Sequence, residues 1–130
     1  MHVDWEAAIK RGDVVAVRGL LDRGVDINSR DRYGQTGLML AARAGHRDVV
    51  EALIERRADL NVTAKFGLSA LMLAVVAGHA EIARTLARAG ADLSKRGCGA
   101  PGFADQTAYD LAMARGMHEL SEDLSASPRT

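Results

Sequence analysis

The chain repeats itself. Shifted by 33 residues, Asp31-Arg-Tyr-Gly-Gln-Thr-Gly-Leu-Met-Leu-Ala-Ala-Arg-Ala-Gly-His46 falls on Ala64-Lys-Phe-Gly-Leu-Ser-Ala-Leu-Met-Leu-Ala-Val-Val-Ala-Gly-His79. The agreement continues from Glu51-Ala-Leu-Ile into Ala58-Asp-Leu-Asn61. Asp59 and Asn61 match Asp26 and Asn28 before them and Asp92 and Ser94 after them. A period of this length means stacked supersecondary units, none of which can bury its apolar face alone.

Each repeated position has a physical reading. Thr36, Ser69 and Thr107 stand where a hydroxyl accepts a hydrogen bond from an early backbone N–H, which makes each the N-cap of an inner helix. Leu38, Leu40 and Ala41 then form a buried face. Their equivalents are Leu71, Leu73 and Ala74, then Tyr109, Leu111 and Ala112, with Trp5, Ala7 and Ala8 in the first copy. Gly12, Gly45, Gly78 and Gly116 fall at the corner between two helices, where positive φ costs glycine nothing. Asp48, Glu81 and Glu119 put negative charge into the first turn of the outer helix, as its dipole favours. That helix has its own apolar ladder of Leu20, Leu53, Leu86 and Leu124, with Ala16, Val49, Ile82 and Leu120. Gly24 and Gly90 close it in the left-handed conformation, and Arg57 takes that place in the second copy.

The pattern resembles the ankyrin repeat, in which a glycine-ended β-turn leads to a helix start, a Gly-His corner, a second helix and a Gly-Ala-Asp-x-Asn exit. The helix start reads Thr36-Gly-Leu-Met39, Ser69-Ala-Leu-Met72 and Thr107-Ala-Tyr-Asp110, without the family's proline and with Met39, Met72 and Asp110 in place of its histidine. The resemblance implies an all-α solenoid of four helix-turn-helix units with short β-turn fingers. It covers one domain over residues 1–125, with repeats at about 1–30, 31–63, 64–96 and 97–125 and a disordered tail at 126–130. The ends read as caps: the first unit starts at Trp5 without a turn motif, and Ser121 and Ser125 stand where Val50 and Ile54 are apolar.

Charge and cysteine usage bound the function. Lys and Arg number 17 and Asp and Glu 17, so no net charge holds the molecule on nucleic acid or an anionic membrane. Cys98 is the only cysteine, which fits a reducing compartment. No signal-peptide pattern opens the chain and no apolar run approaches a bilayer span. The expectation is a monomeric cytoplasmic protein, nuclear if its source has a nucleus.

Function then falls to positions that the scaffold does not dictate: the turn tips and the exposed side of the inner helices, which line a concave groove. In the second repeat these are Arg32, Tyr33, Gln35 and Arg43; in the third, Lys65, Phe66, Leu68 and Val76. Tyr33 and Phe66 lie one period apart, so two rings should project from adjacent tips, each beside a cation. Phe66, Leu68 and Val76 should form an exposed apolar patch, and such patches mark interaction surfaces. From Ser69 to Thr107 the spacing is 38, five more than the repeat, so the last finger is longer by five residues that fall within Gly97–Gln106, and Phe103 extends the aromatic row.

The leading reading is a small adaptor or inhibitor that docks a protein segment in this groove. The alternative is a self-associating module pairing through the Phe66 patch. No acid, base and nucleophile set supports an enzyme, and no cofactor is implied. Gly97-x-Gly99-x-x-Gly102 spells a dinucleotide fingerprint, but an outer helix precedes it rather than a strand, and Pro101 sits inside it. His46 and His79 are explained by the helix corner, and Cys98, Asp110 and His118 show no metal-ligand spacing. Arg30, Arg32, Arg43, Arg47 and Lys65 read as a solvated basic surface rather than a nucleic-acid site.

Overall fold

A computed structural model describes residues 1–99 and 101–125; the tail expected at 126–130 lies outside them. Each repeat is a pair of helices joined at a glycine corner. The pairs are α1 (Val3–Arg11) with α2 (Val14–Asp22), α3 (Gly37–Ala44) with α4 (Arg47–Glu55), α5 (Ala70–Val76) with α6 (Ala80–Arg88), and α7 (Ala108–Ala114) with α8 (His118–Asp123). Inner helices α1, α3, α5 and α7 pack in series, and so do outer helices α2, α4, α6 and α8. The only β-pairing among the described residues is two isolated bridges, Arg30 with Thr36 and Gly97 with Ala104. The molecule is an all-α solenoid.

The inner helices start where their hydroxyls dictate. Met39 N–H donates to Thr36 Oγ1 and Met72 N–H to Ser69 Oγ, both at 3.3 Å. At the last pair Asp110 N–H donates to Thr107 Oγ1 at 3.2 Å while Thr107 N–H donates to Asp110 Oδ2 at 3.0 Å, a reciprocal capping box. Beyond the caps, Leu38, Leu40, Ala41, Leu71, Leu73, Ala74, Leu111 and Ala112 are buried, as are Met39 and Met72.

Tyr109 departs from its expected burial and is 37% exposed. Its equivalents Trp5, Leu38 and Leu71 are buried because the following pair covers that face: a Cβ on Gly37 of α3 would strike Ile9 and come within 3.3 Å of the Trp5 ring. No described pair follows α7, so Tyr109 keeps its exposure. Ser121 departs the other way. It is 4% exposed, in the buried position of Val50 and Ala83, and its hydroxyl donates to the His118 carbonyl at 2.6 Å. A serine that satisfies its hydroxyl on its own helix enters a core at little cost, so Ser121 is a core residue and not part of a solvent-facing cap.

Two polar ladders tie neighbouring pairs together. His46 Nε2–H donates to the Lys10 carbonyl (2.9 Å) and His79 Nε2–H to the Arg43 carbonyl (3.2 Å); a carbonyl only accepts, which fixes the proton on Nε2. On the other side, Asp59 N–H donates to Asn28 Oδ1 (2.8 Å) and Asp92 N–H to Asn61 Oδ1 (2.7 Å). The Asp92 carboxylate accepts from the Ser94 hydroxyl and amide, which hold its pKa below the ordinary carboxylate value.

The outer helices of the first and third pairs are followed by Gly24 (φ 92°) and Gly90 (φ 101°), and Arg57 occupies the same place at φ 62°. An exposed side chain in that region costs about 1 kcal/mol. Arg57→Gly is expected to raise stability by about 0.5–1 kcal/mol, measured as a higher urea midpoint. An unchanged midpoint would show that the strain at this turn is relieved elsewhere.

Candidate functional site

Three fingers project from the stack, and their conformations differ because their sequences differ. Each is closed by a backbone bond: Asp31 N–H to the Gln35 carbonyl (2.9 Å), Ala64 N–H to the Leu68 carbonyl (3.1 Å), and Gly97 N–H to the Gln106 carbonyl (2.9 Å). The same closure spans the longer third loop, so the insertion extends the finger without disturbing the stack.

In the first finger the Asp31 carboxylate accepts the N–H groups of Tyr33 and Gln35, each at 2.9 Å. This local turn holds the tip rigid, and Tyr33 projects 67% exposed with the Arg32 guanidinium 5.8 Å from its ring centroid. The second finger has Ala64 in place of Asp31. Its tip is a 3-10 turn, Lys65–Gly67, with Phe66 in the left-handed region at φ 62°, ψ 19°. The Phe66 ring meets Phe103 at 5.7 Å between centroids, and its carbonyl accepts Cys98 N–H at 2.7 Å. The Lys65 ammonium lies 4.9 Å from the centre of the same ring.

The candidate residues therefore separate. Arg32, Tyr33, Gln35, Arg43 and Lys65 come together around one groove of about 540 Å³. Phe66 and Phe103 are half-buried against each other and the core, so they do not continue a row of projecting rings from Tyr33. Val76 is half-buried against the core as well. Leu68, expected on the wet face, is 5% exposed and part of the core: it directly precedes the Ser69 cap, where the chain turns into the stack. The exposed apolar trio is thus corrected: Phe66 makes a finger-to-finger contact with Phe103, Leu68 is core, and Val76 packs against that core. Asp31 was not singled out by its sequence, though Asp followed three residues later by Gly34 is a turn signature.

The glycine motif of the third finger makes turn contacts. A Cβ on Gly97 would strike the Phe103 carbonyl, and one on Gly99 would lie 3.6 Å from the Phe66 ring. Cys98 is exposed and free. Among the described residues, no three His, Cys, Asp or Glu side chains converge on a metal position, and no helix is long and apolar enough to cross a membrane.

A family model described as ankyrin repeats in three copies matches residues 5–97. The chain belongs to the ankyrin-repeat family. Two proteins of Rickettsia felis (strain ATCC VR-1525 / URRWXCal2), both described as ankyrin repeat proteins, are 46% identical to it over 43 residues. The matched stretch is 33% of this chain and covers 68% of one relative and 65% of the other. The fourth ankyrin helix pair, α7 with α8, lies beyond the matched residues. Ankyrin repeats are generally protein–protein interaction modules and typically non-enzymatic.

Proposed function

We propose that this ankyrin stack is an adaptor or inhibitor that binds a segment of another protein in the groove between its first two fingers. The observation that carries the reading is Tyr33: a large ring held 67% exposed by a rigid turn, at the edge of a groove of about 540 Å³ lined also by Arg32, Gln35, Arg43 and Lys65. Aromatic and arginine side chains dominate binding energy at protein interfaces, and a pre-ordered tip loses little entropy on docking. The rival reading, self-association through Phe66 and Leu68, loses its surface because Leu68 is buried and Phe66 packs on Phe103. A cytoplasmic setting accords with the exposed free thiol of Cys98.

Tyr33→Ala is expected to weaken partner binding by at least about tenfold, the usual cost of truncating an interface anchor, with an unchanged melting temperature. Affinity capture on wild-type and variant chains side by side, quantified by mass spectrometry, tests it. A captured set that does not respond to Tyr33→Ala would place recognition on another face.

A further inference from the structure

Several Arg and Lys side chains make no ion pair among the described residues, and three of them, Arg32, Arg43 and Lys65, stand around one groove. Elsewhere, Lys10 pairs with Glu6 (3.1 Å), Arg11 with Asp13 (3.6 Å), Arg18 with Glu55 (3.7 Å), Arg47 with Glu51 (3.1 Å) and Arg56 with Asp22 (2.8 Å). Arg84 is held by both Asp123 and Glu81, whose hydrogen bonds raise its pKa further. Arg32, Arg43 and Lys65 make no ion pair among the described residues, although all three line one groove. The nearby carboxylate of Asp31 is already engaged by two backbone N–H groups of its own turn. Gln35, which lines the groove beside Tyr33 and the three cations, carries no charge. In a chain with no net charge, this is a local positive excess, and like charges in one groove are left uncompensated until something anionic enters.

Resting on the groove reading above, we propose that the occupant is an acidic peptide segment of the partner. Its carboxylates meet Arg43 and Lys65, Arg32 steers its approach, and its chain lies across the Tyr33 ring. Nucleic acid fits less well. Its affinity grows with the number of phosphates neutralised, and this groove offers three cations and one exposed ring. A peptide needs only two or three charge contacts and an aromatic anchor. At physiological salt such pairs act over about 8 Å, so the three cations act on the segment seated in the groove.

The test is selection of a random-peptide display library on the immobilised full-length chain, followed by fluorescence anisotropy with the synthesised winners. Peptides enriched in Asp and Glu are expected. Their affinity should fall at least about tenfold on Arg43→Glu with Lys65→Glu and fall with added salt. Binding should return when the peptide's acids are exchanged for lysine against that charge-reversed chain. All three mutated or probed positions are exposed, so circular dichroism and the melting temperature should not change. Neutral or basic winners that are lost on Tyr33→Ala would overturn the acidic occupant and leave the groove reading standing. Winners indifferent to Tyr33 and to charge reversal would overturn both, as would a library that yields no binder. Tighter binding of a single-stranded DNA probe than of any selected peptide would also overturn the acidic-peptide assignment.

Discussion

Leu68→Ser is expected to lower the unfolding free energy by about 3 kcal/mol, moving the urea midpoint far down while leaving the first finger that carries Tyr33 unchanged in the folded fraction. Leu68 is 5% exposed and belongs to the continuous core of the stack. Truncating a buried leucine typically costs about 2–5 kcal/mol, and a serine hydroxyl placed there needs a partner. Its own backbone carbonyl already closes the second finger by accepting Ala64 N–H at 3.1 Å, so local collapse would also disturb the turn that presents Lys65. The contrast is with Tyr33→Ala, which removes an exposed ring and should leave the midpoint alone. A loss of under about 0.5 kcal/mol at Leu68, the size of an ordinary surface change, would show that the side chain is solvent-facing and return it to the docking surface.

Leu68 and Phe66 also show where sequence reading runs out. Periodicity located the caps, the glycine corners and the buried rows, because each is a local requirement repeated at a fixed interval: a hydroxyl before a helix, positive φ at Gly45 and Gly78, a small residue against a neighbouring helix. Alignment alone, however, treats Tyr33 and Phe66 as equivalent. The difference lies one residue outside each ring's own dipeptide. Asp31 supplies the carboxylate that freezes the first tip, while Ala64 cannot, and the second tip turns left-handed at Phe66 to reach Phe103 across the sequence insertion. Ser121 and Tyr109 fail the same transfer for a different reason. Burial at an inter-repeat position depends on whether another pair follows, and burial of a serine depends on whether its hydroxyl finds a carbonyl. Five of the expected residues line one groove, and their part in binding is the reading proposed above.

Gly45→Ala is expected to cost about 2 kcal/mol and Gly78→Ala only about 1 kcal/mol, although the two glycines share a φ of 84°. The left-handed backbone penalty is common to both. At Gly45 the added Cβ would lie 2.8 Å from His79 Cε1 and 3.0 Å from Nε2, whereas at Gly78 nothing lies within 4 Å. The His79 ring must therefore move, and it holds the Nε2–H bond to the Arg43 carbonyl that links the second and third pairs. Gly78 has no such neighbour because Met117 stands in the next pair where a histidine would be. Urea denaturation of the two variants, each with and without His79→Ala, isolates the term: the excess cost at Gly45 should vanish once His79 is gone, while Gly78→Ala should cost the same in both backgrounds. Equal costs for the two glycines with His79 present would mean that the ring yields freely and that the corner bond contributes nothing to coupling. If the excess is found, part of the cooperativity of the stack resides in a glycine that leaves room for the next pair's imidazole, and the end of the chain that carries Met117 should open before the pairs that His46 and His79 tie together.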